Sequence, residues 1–248
     1  LGLIVAGALA ATAATAQTPA GTEAPEDGIV QRGEALYSQH CATCHGAEGR
    51  GSVRAGIEVP PVQDASPALV DFVIRTGRMP MPNIEAGSVR RRPVLDDEQR
   101  RALVAYFQTF AADAPHVPVV DADRGDVAEG RDVYVRNCVA CHGAFGRGIA
   151  ISQEDIAPGL LDAAPVEVAE AVRTGPGVMP VFGKEIISDP EVASVIAYVD
   201  FVTRQAERPA GGLTIGRSGP VTEGLVAWGV GFVLLVVAIY FIGEARRD

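Results

Sequence analysis

Cys41-Ala42-Thr43-Cys44-His45 is the stretch on which the reading of this chain turns, and it recurs as Cys138-Val139-Ala140-Cys141-His142. C-x-x-C-H is the sequence form of covalent c-type haem attachment. Two thiols three positions apart can add to the two vinyl groups of one porphyrin, and the adjacent histidine then lies under the iron as its proximal ligand. The two copies use all 4 cysteines of the chain and leave no odd thiol. A zinc knuckle or a redox disulfide is the alternative. Zinc would draw four ligands from both motifs, and a thioredoxin-like site would sit in a βαβ setting; the sequence shows neither context. The predicted cofactors are therefore two haem c groups, held by Cys41 and Cys44 with His45, and by Cys138 and Cys141 with His142.

Outward from the motifs the chain repeats itself. Gly28 to Gly51 matches Gly125 to Gly148 without a gap, pairing Gly33 with Gly130, Tyr37 with Tyr134, Gly46 with Gly143, and Gly49-Arg50-Gly51 with Gly146-Arg147-Gly148. Such self-similarity marks two copies of one structural unit. Val30, Ala35, Leu36 and Tyr37 recur at roughly helical spacing, so an amphipathic helix should deliver each pair of cysteines. Tyr37 and Tyr134 are read as core or haem-edge packing rather than redox relays. After each motif comes a loop, in which Pro60-Pro61-Val62 answers Pro158-Gly159-Leu160. A proximal histidine gives its other ring N–H to a backbone carbonyl. Pro60 and Pro158 are candidates for that carbonyl, and simple stiffening of the loop is the alternative. Short helices are predicted from Pro67 through Ile74 and from Pro165 through Val172, each starting on proline and each stopped by Arg-Thr-Gly.

A haem of high potential takes a second axial ligand, usually the thioether of methionine. All 3 methionines of the chain follow those Thr-Gly stops. Met179 is the candidate for the second haem. For the first, Met79 in Thr76-Gly77-Arg78-Met79-Pro80 is preferred, with Met81, which a gapless alignment sets opposite Met179, as the alternative. Of the 4 histidines, His40 abuts Cys41 and His116 lies in a proline-flanked linker, so bis-histidine ligation is not expected.

With 28 Gly and 17 Pro, long loops should connect short helices. A net charge of −10 excludes the basic face that nucleic acid demands. Leu1 to Thr22 is uncharged and rich in Ala, Gly and Thr, which reads as a retained N-terminal membrane helix or a secretory signal with Ala14-Thr15-Ala16 as its cleavage site. With no initiator Met and no basic leader, the true N-terminus is expected upstream. Helices are also predicted from Asp96 to Phe110, capped by Asp96 or Asp97, and from Asp189 to Val202. Gly224 to Gly243 is uncharged and spans about 30 Å as a helix, the thickness of a bilayer core. Trp228 and Tyr240 lie near its ends, and Arg246 with Arg247 puts the C-terminus in the cytoplasm. The predicted architecture is all-α: an N-terminal transmembrane helix over 1–22, class I-like c-type cytochrome domains over 27–113 and 125–206, a linker over 114–124, and a transmembrane helix over 224–243. Both haem domains are expected on the extracytoplasmic side of the cell membrane.

Arg208-Pro209-Ala210-Gly211-Gly212, Gly219-Pro220-Val221 and Glu223-Gly224-Leu225 lead into the helix with Trp228. With Thr76-Gly77-Arg78-Met79-Pro80 and Arg91-Arg92-Pro93, they make the chain resemble the di-haem cytochrome c subunit of the actinobacterial cytochrome bcc complex. The resemblance covers nearly the whole chain, departing from it in the weakly apolar N-terminal segment. It implies an electron-transfer subunit of a quinol–cytochrome c reductase with no catalytic acid or base of its own. Its partners would be a cytochrome b subunit, a Rieske iron–sulfur subunit and a terminal oxidase with a copper electron-entry centre. The same chemistry serves di-haem carriers of cbb-type oxidases or periplasmic dehydrogenases. A haem sensor or ligand-binding module is the rival from another class, but it would need an output domain.

Overall fold

The computed structural model describes residues 26–109, 111, 113–152, 155–207 and 220–244. The helix predicted over 1–22, the stretch from Arg208 to Gly219, and Arg246 with Arg247 lie outside them. The chain is mostly helical and forms two compact units. One runs to Val119 and takes in Glu170–Phe182; the other runs from Val120 to Ala169 and resumes at Gly183.

In the first unit, α1 (Glu26–His40) leads into a single turn, α2 (Ala42–His45), followed by the hairpin β1 (Ser52–Arg54) and β2 (Ile57–Val59). Helix α3 (Pro67–Arg75) starts where Ser66 Oγ accepts a hydrogen bond from Leu69 N at 3.1 Å, with Pro67 in the first turn where no N–H partner is lost. It stops at Thr76 and Gly77, as the Thr-Gly pattern predicts. Helix α4 (Asp97–Gln108) is held by a capping box on Asp96: Gln99 N donates to Asp96 Oδ1 at 2.9 Å, and Asp96 N donates to Gln99 Oε1 at 3.0 Å. Asp97 lies inside the helix instead.

Helix α1 crosses α4 at Gly33, where a Cβ would stand 2.1 Å from Ala102 O. The close approach lets Leu36 and Tyr37 join Val70, Ile74, Leu95, Leu103 and Phe107 in one core. Tyr37 meets Tyr106 and Phe107 at centroid separations of 5.9 and 5.8 Å. Burying a side chain such as Leu103 contributes about 1.5–3 kcal/mol. Under α3, buried Asp71 accepts from Arg75 Nε at 2.8 Å and from Arg100 of α4, so its own charge is paired.

The second copy of the sequence repeat follows the same plan, although its residues Glu170–Phe182 belong to the first compact unit. After a 3-10 turn at Ala122–Arg124 come α5 (Val127–Asn137), the single turn α6 (Val139–His142), the hairpin β3 (Ile149–Ala150) and β4 (Ile156–Ala157), α7 (Pro165–Thr174) and α8 (Asp189–Glu207). Asp126 caps α5, accepting from Glu129 N at 2.8 Å. Gly130 brings α5 against α8, and a Cβ there would stand 1.8 Å from Ser194 O. Ser194 Oγ accepts from Asp126 N at 3.1 Å and donates to Glu129 Oε2 at 2.8 Å, which fastens α8 to the start of α5. Tyr134 packs on Tyr198 at 5.3 Å.

Two small hairpins are what the all-α expectation lacked. In the first, Ser52 pairs with Val59 and Arg54 with Ile57, closed by Ala55 and Gly56 at φ of +51° and +79°. Positive φ at both central residues is the turn that matches strand twist. Helix α9 (Pro220–Glu244) contains Gly224–Glu244, long and apolar enough to cross a membrane, with apolar side chains exposed from Leu225 to Ile242.

Candidate haem sites

Each attachment motif is one helical turn continuing from a long helix. Cys41 N donates to Tyr37 O at 2.8 Å, and Cys138 N donates to Tyr134 O at 2.8 Å. His45 N then closes on Cys41 O at 3.0 Å, and His142 N on Cys138 O at 2.9 Å. Positions i, i+3 and i+4 share a helix face, so both cysteines and the histidine of each motif are presented to one side. No disulfide joins any two of the 4 cysteines. Burial pushes the Cys41 and Cys138 thiols up to about 11, with the partner thiols Cys44 and Cys141 adding to the shift.

The histidines are aimed by the loop that follows. His45 Nδ1 lies 2.9 Å from Pro60 O, and His142 Nδ1 lies 2.9 Å from Pro158 O. A carbonyl only accepts, so Nδ1 carries the hydrogen in both rings and Nε2 keeps its lone pair for a metal. Of the two roles open to Pro60 and Pro158, the carbonyl role is the one their geometry fits.

The repeated glycines explain how the loop reaches the ring. Gly51 has φ +81° and a Cβ there would stand 2.5 Å from Val59 O; Gly148 has φ +75° and a Cβ would stand 2.2 Å from Ala157 O. Only glycine combines that backbone with that approach. Gly51 N and Gly148 N donate to His45 O at 2.8 Å and His142 O at 2.9 Å, while Val62 N and Leu160 N donate to Gly49 O and Gly146 O, each at 2.7 Å. The loop is thus stitched to the motif at the same points in both copies.

Tyr37 and Tyr134 do more than pack. Tyr37 OH donates to Gly46 O at 2.8 Å, and Tyr134 OH donates to Gly143 O at 2.8 Å. Each phenol holds the residue after the histidine. Burial, chiefly, pushes the Tyr37 phenol up to about 12 and raises Tyr134 further, so both remain donors at ordinary pH. The signal for this role was the repeated Tyr eight positions before the histidine, but its partner could not be read from spacing.

Met79, Met81 and Met179 are all half-buried on the loops that follow Gly77 and Gly175. Met79 packs against the core cluster of the first unit, and its N–H donates to Val73 O at 3.0 Å. Met179 N donates to Pro176 O at 3.3 Å. His40 ends α1. Among the described residues no group of three or more His, Cys, Asp and Glu side chains gathers as a zinc site would require. The donor set in each copy, two same-face thiols with a histidine whose Nε2 is free, fits a covalently attached haem.

Sequence comparison agrees with this geometry. The family model described as cytochrome C oxidase, cbb3-type, subunit III matches residues 28–107 and 125–199, one copy each. A protein of Corynebacterium diphtheriae named cytochrome bc1 complex cytochrome c subunit is 33% identical over 98% of this chain and 91% of its own length. A protein of the same name from Mycobacterium bovis is 32% identical over 98% of this chain and 88% of its own. A cbb3-type cytochrome c oxidase subunit CcoP of Azospirillum is 27% identical over 67% of this chain and 60% of its own. Two stitched C-x-x-C-H stations built alike, with c-type haem as their cofactor, and relatives matching nearly end to end place this chain in the family of cytochrome bc1 complex cytochrome c subunits.

Proposed function

We propose that the chain is the membrane-anchored di-haem relay of a quinol-oxidising bc complex, taking electrons from a Rieske iron–sulfur protein and handing them to the copper centre of a terminal oxidase. The observation that carries this reading is the pair of Nδ1 to carbonyl contacts at 2.9 Å, His45 to Pro60 and His142 to Pro158, which readies both rings to bind iron through Nε2. Haem, once attached, supplies reversible one-electron uptake. The chain's own part is to hold it. Cys41 and Cys44, and Cys138 and Cys141, would hold it through thioether links, and His45 and His142 would bind the iron. Met179 and Met79, with Met81 as the alternative, would supply a sulfur ligand. Tyr37, Pro60, Tyr134 and Pro158 act behind them by fixing the turn and the ring. No side chain is assigned to proton transfer with a substrate. The domains 27–113 and 125–206 lie outside the cell membrane, Gly224–Glu244 crosses it, and the C-terminus is cytoplasmic. The tether keeps the carrier close to the cytochrome b and Rieske subunits and to the oxidase, which raises its effective concentration without new contacts.

The test is removal of one station. Cys138→Ala/Cys141→Ala should abolish the second haem, leave the complex assembled, and reduce quinol-driven oxygen uptake nearly to zero. Undiminished uptake in an assembled complex shown to lack that haem would overturn the relay. A second reading, a di-haem subunit of a cbb-type oxidase, is favoured by the name of the matching family model. The proteins that co-purify with the chain in mild detergent separate the two: a cytochrome b with an iron–sulfur partner, or an oxidase core.

A further inference from the structure

The loop between Gly77 and the start of α4 carries the two methionines of the first unit and an arginine run, Arg90-Arg91-Arg92, which the haem sites do not use. In a chain of net charge −10 this loop is basic: Arg78, Arg90, Arg91 and Arg92 stand against Glu85 and Asp96, and the Asp96 carboxylate is taken up in capping α4. The loop after Gly175 is balanced instead, with Lys184 beside Glu185 and paired to Asp189 at 2.8 Å.

The arginines are placed, not trailing. Arg91 N donates to Thr76 O at 3.1 Å, and Arg91 O fills the space a Cβ on Gly77 would need, at 2.3 Å. The run is therefore pinned to the turn that precedes Met79. The Arg91 guanidinium closes the loop on itself, donating to Gly87 O at 2.9 Å, Val89 O at 3.1 Å and Ala86 O. Arg78 turns inward, its guanidinium carbon 4.8 Å from the Phe72 ring centroid. Arg90 and Arg92 are exposed on either side of this clamp. Beside them Val89 and Val94 are 57% and 65% exposed.

We propose that the Val89–Val94 face is a docking surface for an acidic patch on an electron-exchanging partner protein, next to the methionine loop of the first haem. This rests on the relay reading above. Arginine is enriched at protein interfaces, whose centres are more apolar than the rest of the surface. Complementary charge on such a face sets orientation and encounter rate more than affinity. A polybasic lipid site would adjoin a membrane helix, whereas this run lies far before α9, which begins at Pro220.

The test uses the full-length chain in its respiratory complex as wild type, Arg90→Lys/Arg92→Lys and Arg90→Glu/Arg92→Glu. Carbodiimide joins amines to carboxylates in contact and ignores guanidinium, so the lysine variant reports on this position and the wild type is its blank. We expect the new amines to couple to a carboxylate of another electron-carrying protein, located by mass spectrometry. The glutamate variant should slow electron exchange with that partner about tenfold at low salt, the difference fading toward about 0.5 M salt as the field is screened. Coupling confined to the chain's own carboxylates, or a rate and salt dependence unmoved by the reversal, would overturn the surface. So would binding to vesicles of anionic phospholipid that the reversal abolishes while electron exchange is unchanged. Failure of the wild type to pass electrons at all would defeat the relay reading itself, which separates the two failures.

Discussion

The helix crossing at Gly33 can be tested with a single added methyl group. In Gly33→Ala the Cβ would lie 2.1 Å from Ala102 O and 2.6 Å from Tyr106 Cβ, both on α4. The obstacle is a helical carbonyl, which cannot turn away as a flexible side chain would. Relief requires α1 and α4 to part by roughly 1 Å, in a core packed as densely as an organic crystal. Overpacking of this kind costs about 1–3 kcal/mol, and the rigid backbone contact puts it at the upper end. Alanine returns about 1 kcal/mol of helix propensity, leaving a net loss of about 2 kcal/mol. For a domain of this size that lowers Tm by about 8–16 °C. The assay is thermal unfolding of the full-length haem-loaded chain in detergent, followed by far-ultraviolet circular dichroism and haem absorbance. Gly130→Ala should act likewise on the second unit, since its Cβ would meet Ser194 O at 1.8 Å. Gly87→Ala isolates backbone strain from crowding: at φ +64° and ψ 161° only glycine is at ease, and with nothing within 4 Å of the added Cβ that strain, about 1–3 kcal/mol, is its whole cost. A Gly33→Ala protein that melts no lower than wild type would refute the close crossing.

Two further outcomes are expected. Met179→Ala should remove the weak far-red band of sulfur-ligated ferric haem from one haem only, and Met79→Ala should remove it from the other while Met81→Ala leaves it, so the reverse result would move the ligand to Met81. The Tyr37 phenol, pushed up to about 12 mainly by burial and secondarily by Cys41 and Tyr106, should ionise well above the ordinary phenol value of about 10 in an ultraviolet titration. Its folded-state value lies above its unfolded one, so the stability it contributes is complete below about pH 10 and is lost as pH rises through about 12. Tyr37→Phe should flatten that part of the alkaline stability profile, and an unchanged profile would contradict the assignment.

What the sequence determined by itself was whatever depends on near neighbours along the chain. The C-x-x-C-H spacing sets two thiols and a histidine on one face of any helical turn. Pro67 marks a helix start and Gly77 a helix stop, because their backbone limits act within a residue or two. The length and apolar character of Gly224–Glu244 are a matter of composition. The register of the repeat announced that Gly33, Gly51 and Tyr37 had counterparts in Gly130, Gly148 and Tyr134. The tertiary structure decided what those residues meet. Which carbonyl receives Nδ1 of His45 depends on a loop of 15 residues closing back on the ring. The hydrogen bond from Tyr37 to Gly46 O, the pressure of Ala102 O on Gly33, and the seat of Arg91 against Gly77 arise between segments whose separation in sequence carries no record of their contact. The hairpin at Ser52–Val59 is legible in part, since Val53, Ile57 and Val59 flank Gly56, but the close seat of Val59 and the proline loop on Gly51 is visible only in the folded chain. Local stereochemistry can be read from one stretch at a time, whereas the partner of a buried donor is fixed only when the whole chain has excluded water from it.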